Sequence, residues 1–468
     1  MIDTLQRQRA AFLRDGTPDL ARRRQHLATL RTAVLAYRTE VAAAISVDFG
    51  NRSRHETAIM ELTGAIQSID YLSRRLRRFM QPQRRHVSIF YRAGSAHVEY
   101  QPKGVIGIMA PWNYPLALTI IPLATALAAG NRAMIKPSEL TPHTSDTIQR
   151  LLADCFEPDE VAVIQGGAEA GAAFSGLPFD HLLFTGSTAV GRKVMQAASE
   201  HLVPLTLELG GKSPAVIARG HVNRQNISSL VYGKLSNAGQ TCVAPDYALV
   251  HESDLDNLIS LYTSTVADFY PAGPTSVDYT SIISQRHFDR LTSLVEDAQR
   301  QGARVITAGV APESAVLRAR SFAPMLLVNV DEQMAVMQEE IFGPILPVRT
   351  YRTMGDVIGY INAGPRPLAL YYFGTQDADC RALLDRTTSG NVGINNTLMH
   401  VAQDDLPFGG IGPSGMGAYH GIEGFRAMSH AKGVYVQGRW SFPRLLHAPF
   451  GKLAELAIRV TLGPAENR

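Results

Sequence analysis

A chain of 468 residues is too long for a single core of the usual roughly 100 to 150 residues, so at least two cores are predicted. With 45% hydrophobic, 19% charged and 7% aromatic residues it is composed like a soluble globular protein, which excludes a disordered or fibrous chain. Forty-five basic against 42 acidic residues leave a net charge of only +3, too little for a global grip on nucleic acid. The three cysteines, Cys155, Cys242 and Cys380, are too few and too scattered for a disulfide framework or a zinc cluster, and they fit a reducing compartment.

The N-terminus lacks the apolar core of a secretory signal, and no run approaches about 18 uninterrupted apolar residues, so a cytoplasmic location is expected. Residues 1 to about 82 read as helices, with Leu27, Leu30, Val34, Tyr37 and Val41 three and four apart and Pro82 closing the region. From His86 to Tyr100 the alternation of Val87, Ile89 and Tyr91, followed by His97 to Tyr100, predicts a hairpin around Gly94-Ser95. The arginines between Arg74 and Arg92 read as a solvated helix face leading into it, because no set of stacking aromatics accompanies them.

Between Gly104 and Leu209 short apolar strands alternate with helical stretches: Val105 to Met109, Ala133 to Ile135, Val161 to Ile164 and His181 to Phe184. The run from Pro115 to Gly130, interrupted by Pro122, reads as a buried helix of this series. Such βαβ rhythm predicts an open parallel sheet whose ligands bind at the carboxyl ends of its strands. A second alternating region runs from Ser213 to about residue 425, with strands Pro214 to Ile217 and Ala248 to Val250, so two α/β lobes are the simplest account. The tail is amphipathic from about Lys452; its charge favours packing on a partner subunit or over a substrate entrance rather than membrane anchoring.

Several segments carry side chains suited to chemistry, each with a plainer alternative. The strand ending at Phe184 runs into Thr185-Gly186-Ser187 and a helix start, which offers free N–H groups to a phosphate or is simply a glycine-capped turn. Cys242 follows Gly239 and precedes Pro245, so its thiol lies on a turn where a nucleophile is accessible; inert packing is the commoner use of a cysteine. Glu208 ends an apolar strand before Gly210-Gly211-Lys212, either as a base made stronger by burial or as a partner of Lys212. Asn113, stiffened by Pro111 and Pro115, can donate to an oxyanion or merely shape a turn. Lys136 and Glu139 stand at the end of the second strand, where a dinucleotide fold meets the adenosine ribose.

Taken together, PWN at Pro111, IKPSE at Ile135, FTGSTAVG at Phe184, LELGGKSP at Leu207, GQTC at Gly239 and EEIFGP at Glu339 resemble the aldehyde dehydrogenase superfamily over roughly residues 100 to 435. GQTCVAPDY, the segment Asn395 to His400 and LPFGGIGPSGMGAYHG resemble its class-three branch, and bacterial coniferyl-aldehyde dehydrogenases most closely. The resemblance implies two open parallel-sheet lobes, a Rossmann-like NAD-binding domain of residues 1–83 and 101–209 and a catalytic domain of residues 210–425. It further implies oligomerisation segments at 84–100 and 426–440, a C-terminal tail at 441–468, and a homodimer.

For the site it implies Cys242 as nucleophile, Asn113 as oxyanion donor and Glu208 as the base that activates water. The cofactor, NAD with NADP as an alternative, would be held by Lys136, Glu139, Gly186, Ser187, Val190, Glu340 and Phe342. Tyr114 and Thr397 would contact the substrate, an aromatic aldehyde of the coniferaldehyde kind oxidised to its acid, with medium or long aliphatic aldehydes as the alternative. No metal, nucleic acid or membrane is implied. Competing accounts are a coenzyme A-acylating enzyme, disfavoured by Glu208; a cofactor-free thiol hydrolase pairing Cys242 with His400 or His420; and a non-enzymatic binding protein. Asp246-Tyr247 after the cysteine and Ile411-Gly412-Pro413 near the C-terminus depart from the common superfamily pattern and weaken inferences about subunit contacts.

Overall fold

The helical spacing of the first eighty residues is realised in the helices Ile2–Asp15, Leu20–Ala36, Arg38–Phe49 and Gly64–Phe79. Leu27, Leu30, Val34 and Val41 are fully buried in one core with Ile69 and Leu72, and Asp19 caps the second helix by accepting from the Arg22 N–H. The computed structural model describes residues 1–309, 316–440 and 447–463.

Two mostly parallel sheets organise the rest. The first has six strands in the spatial order Gly415–Met416, Leu205–Glu208, His181–Thr185, Val105–Met109, Arg132–Lys136 and Val161–Val163; all neighbours are parallel except the short edge strand Gly415–Met416. The second has seven strands, with Pro214–Ile217, Tyr247–His251, Ile345–Tyr351 and Ala369–Phe373 at its centre and one antiparallel edge pair, Arg304–Thr307 against Met325–Val328. Central strands such as Val105–Met109 and Ala369–Phe373 are buried along their whole length, as near-continuous apolar runs require when helices cover both faces. The strands predicted from Val105 onward are thus present, each matched to within a residue or two. Pro122 sits inside the buried helix Ala117–Ala128. No described helix is long and apolar enough to cross a membrane.

The predicted hairpin is corrected. Residues His86 to Ser88 form no strand and Ile89–Tyr91 is a 3-10 turn, while Gln83–Arg85 takes the place of the first strand. The strand Ser95–Pro102 pairs along one edge with Gln83–Arg85 and along the other with Ser429–Val436, in register from Ser95 opposite Val436 to Pro102 opposite Ser429. With both edges of Ser95–Pro102 occupied, Val87 to Tyr91 cannot pair with the strand that follows it. Gly94 is pressed against the Tyr435 hydroxyl and the Val436 carbonyl, where a Cβ would collide.

The C-terminal helix Lys452–Leu462 is amphipathic as expected, yet Leu453, Leu456, Ile458, Val460 and Leu462 all face solvent.

Candidate active site

The site grows from the carboxyl ends of the first sheet. Val105–Met109 leads into Pro111, Trp112 and Asn113; His181–Thr185 leads into Gly186 and Ser187; Leu205–Glu208 ends on Glu208 itself. Cys242 arrives from the other lobe on a turn that follows the helix Arg224–Leu235. That turn has an uncommon backbone: Asn237 and Ala238 adopt φ of 54° and 50°, and Gly239 adopts 76°. A Cβ at Gly239 would run into the Gly343 carbonyl, so glycine is what lets the thiol turn lie against the segment carrying Glu340 and Phe342. The buried Gln240 straps the turn, donating to the carbonyls of Asn237 and Ser281 at 2.9 and 3.1 Å and accepting from the Ile283 N–H at 2.9 Å.

Beneath the turn lies a charge network that the sequence did not reveal. Arg52 and Glu61, both without solvent exposure, pair at 2.7 Å. Glu61 also accepts from the N–H groups of Leu116 and Ala117 at 2.7 and 3.1 Å, anchoring the start of the helix Ala117–Ala128. Arg52 donates to the Asn113 carbonyl at 3.1 Å, and its guanidinium lies over the Tyr114 ring at 4.7 Å. Glu56 accepts from the Asn237 N–H and, at 2.8 Å, from the Thr280 hydroxyl. Glu61 sits on a π-helical turn, Ala58–Thr63, a local widening that tends to occur at functional sites. The nearest sequence signal was a run of charges among apolar residues in a helix, indistinguishable from a solvated face.

Asn113 is buried, and its amide donates to the Gln240 carbonyl at 3.2 Å, leaving a second N–H for the cavity that it lines. Glu208 is also buried, with neither carboxylate oxygen paired, and desolvation raises its pKa well above the usual carboxylate range. The suspected pairing with Lys212 does not form. Lys212 instead binds Asp246 and donates to the carbonyls of Val336 and Glu339 at 2.9 and 3.0 Å, while Asp246 accepts from the Ile341 N–H at 2.9 Å. These bonds clamp the segment that presents Glu340, whose pKa burial pushes up to about 8. A Cβ at Gly210 would overlap that carboxylate. Phe342 holds φ of 50° and packs edge-on against Trp112 at 5.3 Å.

Cys242 lies where two cavities meet, and among the described residues it is the one that lines both. The first, about 240 Å³, is the more polar of the two and is bounded by Thr185, Gly186, Ser187, Glu208, Glu340 and Phe342. The second, about 170 Å³, is walled mainly by apolar side chains including Tyr114, Leu118, Val243, Leu398, Met399 and Phe408. Burial, followed by the charges of Glu340 and Glu208, pushes the Cys242 thiol up to about 12. A cysteine ion-paired with histidine would have its pKa lowered, and none of the ring nitrogens of His400 and His420 has a hydrogen-bond partner. The hydrolase alternative therefore loses its dyad.

Along the polar cavity the residues suit a dinucleotide. Ser187 caps the helix Thr188–Ser199 by accepting from the Val190 N–H at 3.4 Å, so the first turn presents the partly positive end of a helix to the cleft. The Thr185 hydroxyl is buried and unpartnered. Val190 is exposed on that first turn, outside the cavity lining. Lys136 donates to the Pro137 carbonyl at 2.9 Å and to Glu139 at 3.3 Å, beside a separate hollow bounded by Pro137, Ser138, Glu139 and Gln165. Tyr114 lines the apolar cavity, with its hydroxyl 2.8 Å from that of Thr241. Thr397 is corrected: it is fully buried and turned to the helix Arg224–Leu235, its hydroxyl donating to the Ser229 carbonyl at 2.6 Å, and it lines neither cavity. A threonine next to buried helix carbonyls satisfies its hydroxyl there, which leaves its neighbours Leu398 and Met399 to form the wall.

An accessible thiol beside a side-chain amide and an unpaired carboxylate can add to a carbonyl, hold the resulting oxyanion and release an acyl group to water. Comparison with known proteins names the class that uses this chemistry to oxidise aldehydes. The model of the aldehyde dehydrogenase family matches residues 4–434, and the chain belongs to that family: an NAD(P)-dependent enzyme that converts an aldehyde to its carboxylic acid. A probable coniferyl aldehyde dehydrogenase of Caulobacter vibrioides is 46% identical over 458 residues, covering 97% of this chain and 94% of that protein. A coniferyl aldehyde dehydrogenase of Pseudomonas sp. strain HR199 is 45% identical over 460 residues, covering 98% and 95%. Among solved structures, the substrate-bound state of Staphylococcus aureus AldH superposes with a TM-score of 0.88 at 37% identity, over 94% of each chain.

Proposed function

We propose that this enzyme oxidises aromatic aldehydes of the coniferaldehyde kind, with NAD preferred over NADP, through a covalent intermediate on Cys242. One observation carries this: the thiol is the shared wall of a polar cavity and an apolar one, so that a cofactor and a flat hydrophobic substrate can reach the same sulfur from opposite sides. The names of the two coniferyl aldehyde dehydrogenase relatives point to the same substrate class.

In this mechanism Cys242 gives its thiol proton to solvent and adds as the thiolate to the aldehyde carbonyl, and the free N–H of Asn113 and the Cys242 backbone N–H hold the oxyanion. Bound in the polar cavity, NAD(P) would supply the acceptor for the hydride that leaves the thiohemiacetal carbon, so that a thioester results. Glu208, unpaired and raised by burial well above the usual carboxylate range, takes a proton from water as the water attacks the thioester, and Cys242 leaves as the thiolate. Gly186 and Ser187, with Val190 on the same helix turn, would border the pyrophosphate. Glu340 and Phe342 would hold the nicotinamide ribose and ring, and Lys136 and Glu139 the adenosine ribose. Glu139 repels a 2′-phosphate, which favours NAD.

Residues 1–83 and 101–209 act as the cofactor domain, joined in its sheet by Gly415–Met416, and residues 210–425 supply the thiol lobe. The open outer edge of Ser429–Val436 is the place for the second subunit of a homodimer. The test is a steady-state panel of cinnamyl, benzyl and aliphatic aldehydes with both cofactors. Higher kcat/KM for the aromatic members with NAD is expected; aliphatic aldehydes exceeding every aromatic one by about tenfold, or about 1.4 kcal/mol of transition-state binding, would overturn the substrate assignment.

A further inference from the structure

The apolar cavity contains a polar wall that the oxidation itself does not use. His420 lines it and is only 4% exposed, yet neither ring nitrogen has a hydrogen-bond partner. Its ring is fixed by stacking on Phe408 at 5.1 Å and by an edge contact with Tyr419 at 4.6 Å. Beside it in the same wall, Asp404 accepts from the Ser68 hydroxyl through one carboxylate oxygen, and its other oxygen has no partner among the described residues. His400 is equally unpartnered but stands behind Phe408, outside the cavity lining. Gln67 and Met399 are exposed and Asp404 is half-buried, so the Asp404 side of this wall meets solvent, while Cys242 lies where the cavity joins the other one.

Buried polar atoms without partners are rare and costly, and the two His420 nitrogens in the wall of a cavity are best explained by a ligand group that completes them. Burial lowers His420 to about 4, so at neutral pH its imidazole is uncharged and offers one nitrogen as an acceptor. The unpaired Asp404 oxygen is a second acceptor. A hydroxyl suits this wall best, because it can donate to the free His420 nitrogen or the Asp404 oxygen and accept from the His420 ring N–H, whereas an ether can only accept and a carboxylate would meet the Asp404 carboxylate.

We propose that His420, with the free oxygen of Asp404, forms an acceptor subsite that binds a hydroxyl on the end of the substrate remote from its aldehyde. His420 is then a specificity residue that selects hydroxylated aromatic aldehydes over unsubstituted or methylated ones. This rests on the aromatic-aldehyde assignment above and narrows it.

The test compares kcat/KM for 4-hydroxycinnamaldehyde, 4-methoxycinnamaldehyde, cinnamaldehyde and octanal in the wild-type enzyme and in His420→Phe, which keeps an aromatic ring against Phe408. In the wild type the hydroxylated aldehyde should exceed both other cinnamyl aldehydes by about tenfold, the size of one net hydrogen bond. In His420→Phe that ratio should fall to within about twofold of one, whatever the overall rate, which separates selectivity from structural damage. A wild-type ratio near one, a methoxy compound as good as the hydroxy one, or a ratio retained in His420→Phe would overturn the subsite. Should the variant fail to fold, the wild-type hydroxy-to-methoxy ratio decides alone. Octanal exceeding every cinnamyl aldehyde would overturn the aromatic assignment instead, and a hydroxyl ratio that persisted alongside it would leave the subsite standing.

Discussion

The two cavities that meet at Cys242 are built in opposite ways. The polar one is made of strand ends and backbone: Gly186, Gly210 and Gly239 stand where a Cβ would collide with Phe184, Glu340 or the Gly343 carbonyl, and the helix after Ser187 turns its N-terminus inward. The apolar one is made of side chains from separate stretches, near residues 60–68, 114–121 and 398–420, with no shared motif. A cofactor of fixed shape is met by backbone geometry, which tolerates few residues at each position. A substrate of variable shape is met by side chains, which can be exchanged without rebuilding the frame.

The largest effect should come from the sulfur at the junction, because it serves both sides. Cys242→Ala is expected to lower kcat by roughly 10⁴-fold or more while NADH titration still shows cofactor binding. Near wild-type turnover in this variant would remove the thiol from the chemistry and separate the two cavities functionally.

Next in size is Glu208→Gln, expected to slow steady-state turnover by about 10²- to 10⁴-fold while leaving a burst of NADH in stopped flow, since the base acts after the acyl group has formed. Because burial holds Glu208 well above the usual carboxylate range, its base form is lost as pH falls through that raised value. The wild-type kcat profile should therefore drop on the acid side, and the drop should flatten in Glu208→Gln. Loss of the burst would move this carboxylate into the acylation step.

A smaller effect is confined to the polar side. Glu139 is half-exposed, so its repulsion of a 2′-phosphate is screened to about 1 kcal/mol. Glu139→Gln should raise the NADP-to-NAD ratio of kcat/KM by roughly fivefold, without altering the order of aldehydes. A change in the aldehyde order would break the independence of the two cavities.

Smallest is Thr397→Val, which removes the hydroxyl bond to the Ser229 carbonyl. It should cost about 1 kcal/mol in urea unfolding, with no change in the ranking of aldehydes. A reordered substrate panel would restore Thr397 to the cavity wall.

The same contrast governs what the sequence disclosed. Glycines at close approaches, prolines that stiffen Asn113 and strands of unbroken apolar residues leave local patterns, so the two sheets and the residues Cys242, Glu208, Asn113 and Glu340 were legible as a group. Arg52, Glu56 and Glu61 were not, because each acts on residues far along the chain: Arg52 on the Asn113 carbonyl, Glu56 on the Asn237 N–H, Glu61 on the Leu116 N–H. The alternative pairing of Glu208 with Lys212 rested on nearness in sequence, whereas folding brings Asp246 to Lys212. Thr397 shows the limit at a single residue: the segment was placed correctly, but the direction of one side chain depends on which helix lies beneath it. The Val87 to Tyr91 alternation failed because strand propensity says nothing about whether a sheet edge is free.

The pairing of Leu205–Glu208 with Gly415–Met416, together with the bond from the Leu209 N–H to the Ser414 carbonyl, also sets an order for biosynthesis. While the chain is still being made, the strand that carries Glu208 is the raw edge of an unfinished sheet, and its outer neighbour leaves the ribosome only after the whole thiol lobe between them. An edge of this kind is a ready template for pairing with other chains. The nascent protein therefore stays vulnerable to misassembly until Gly415–Met416 has emerged, and a truncation shortly before residue 414 should yield aggregates rather than a smaller working enzyme.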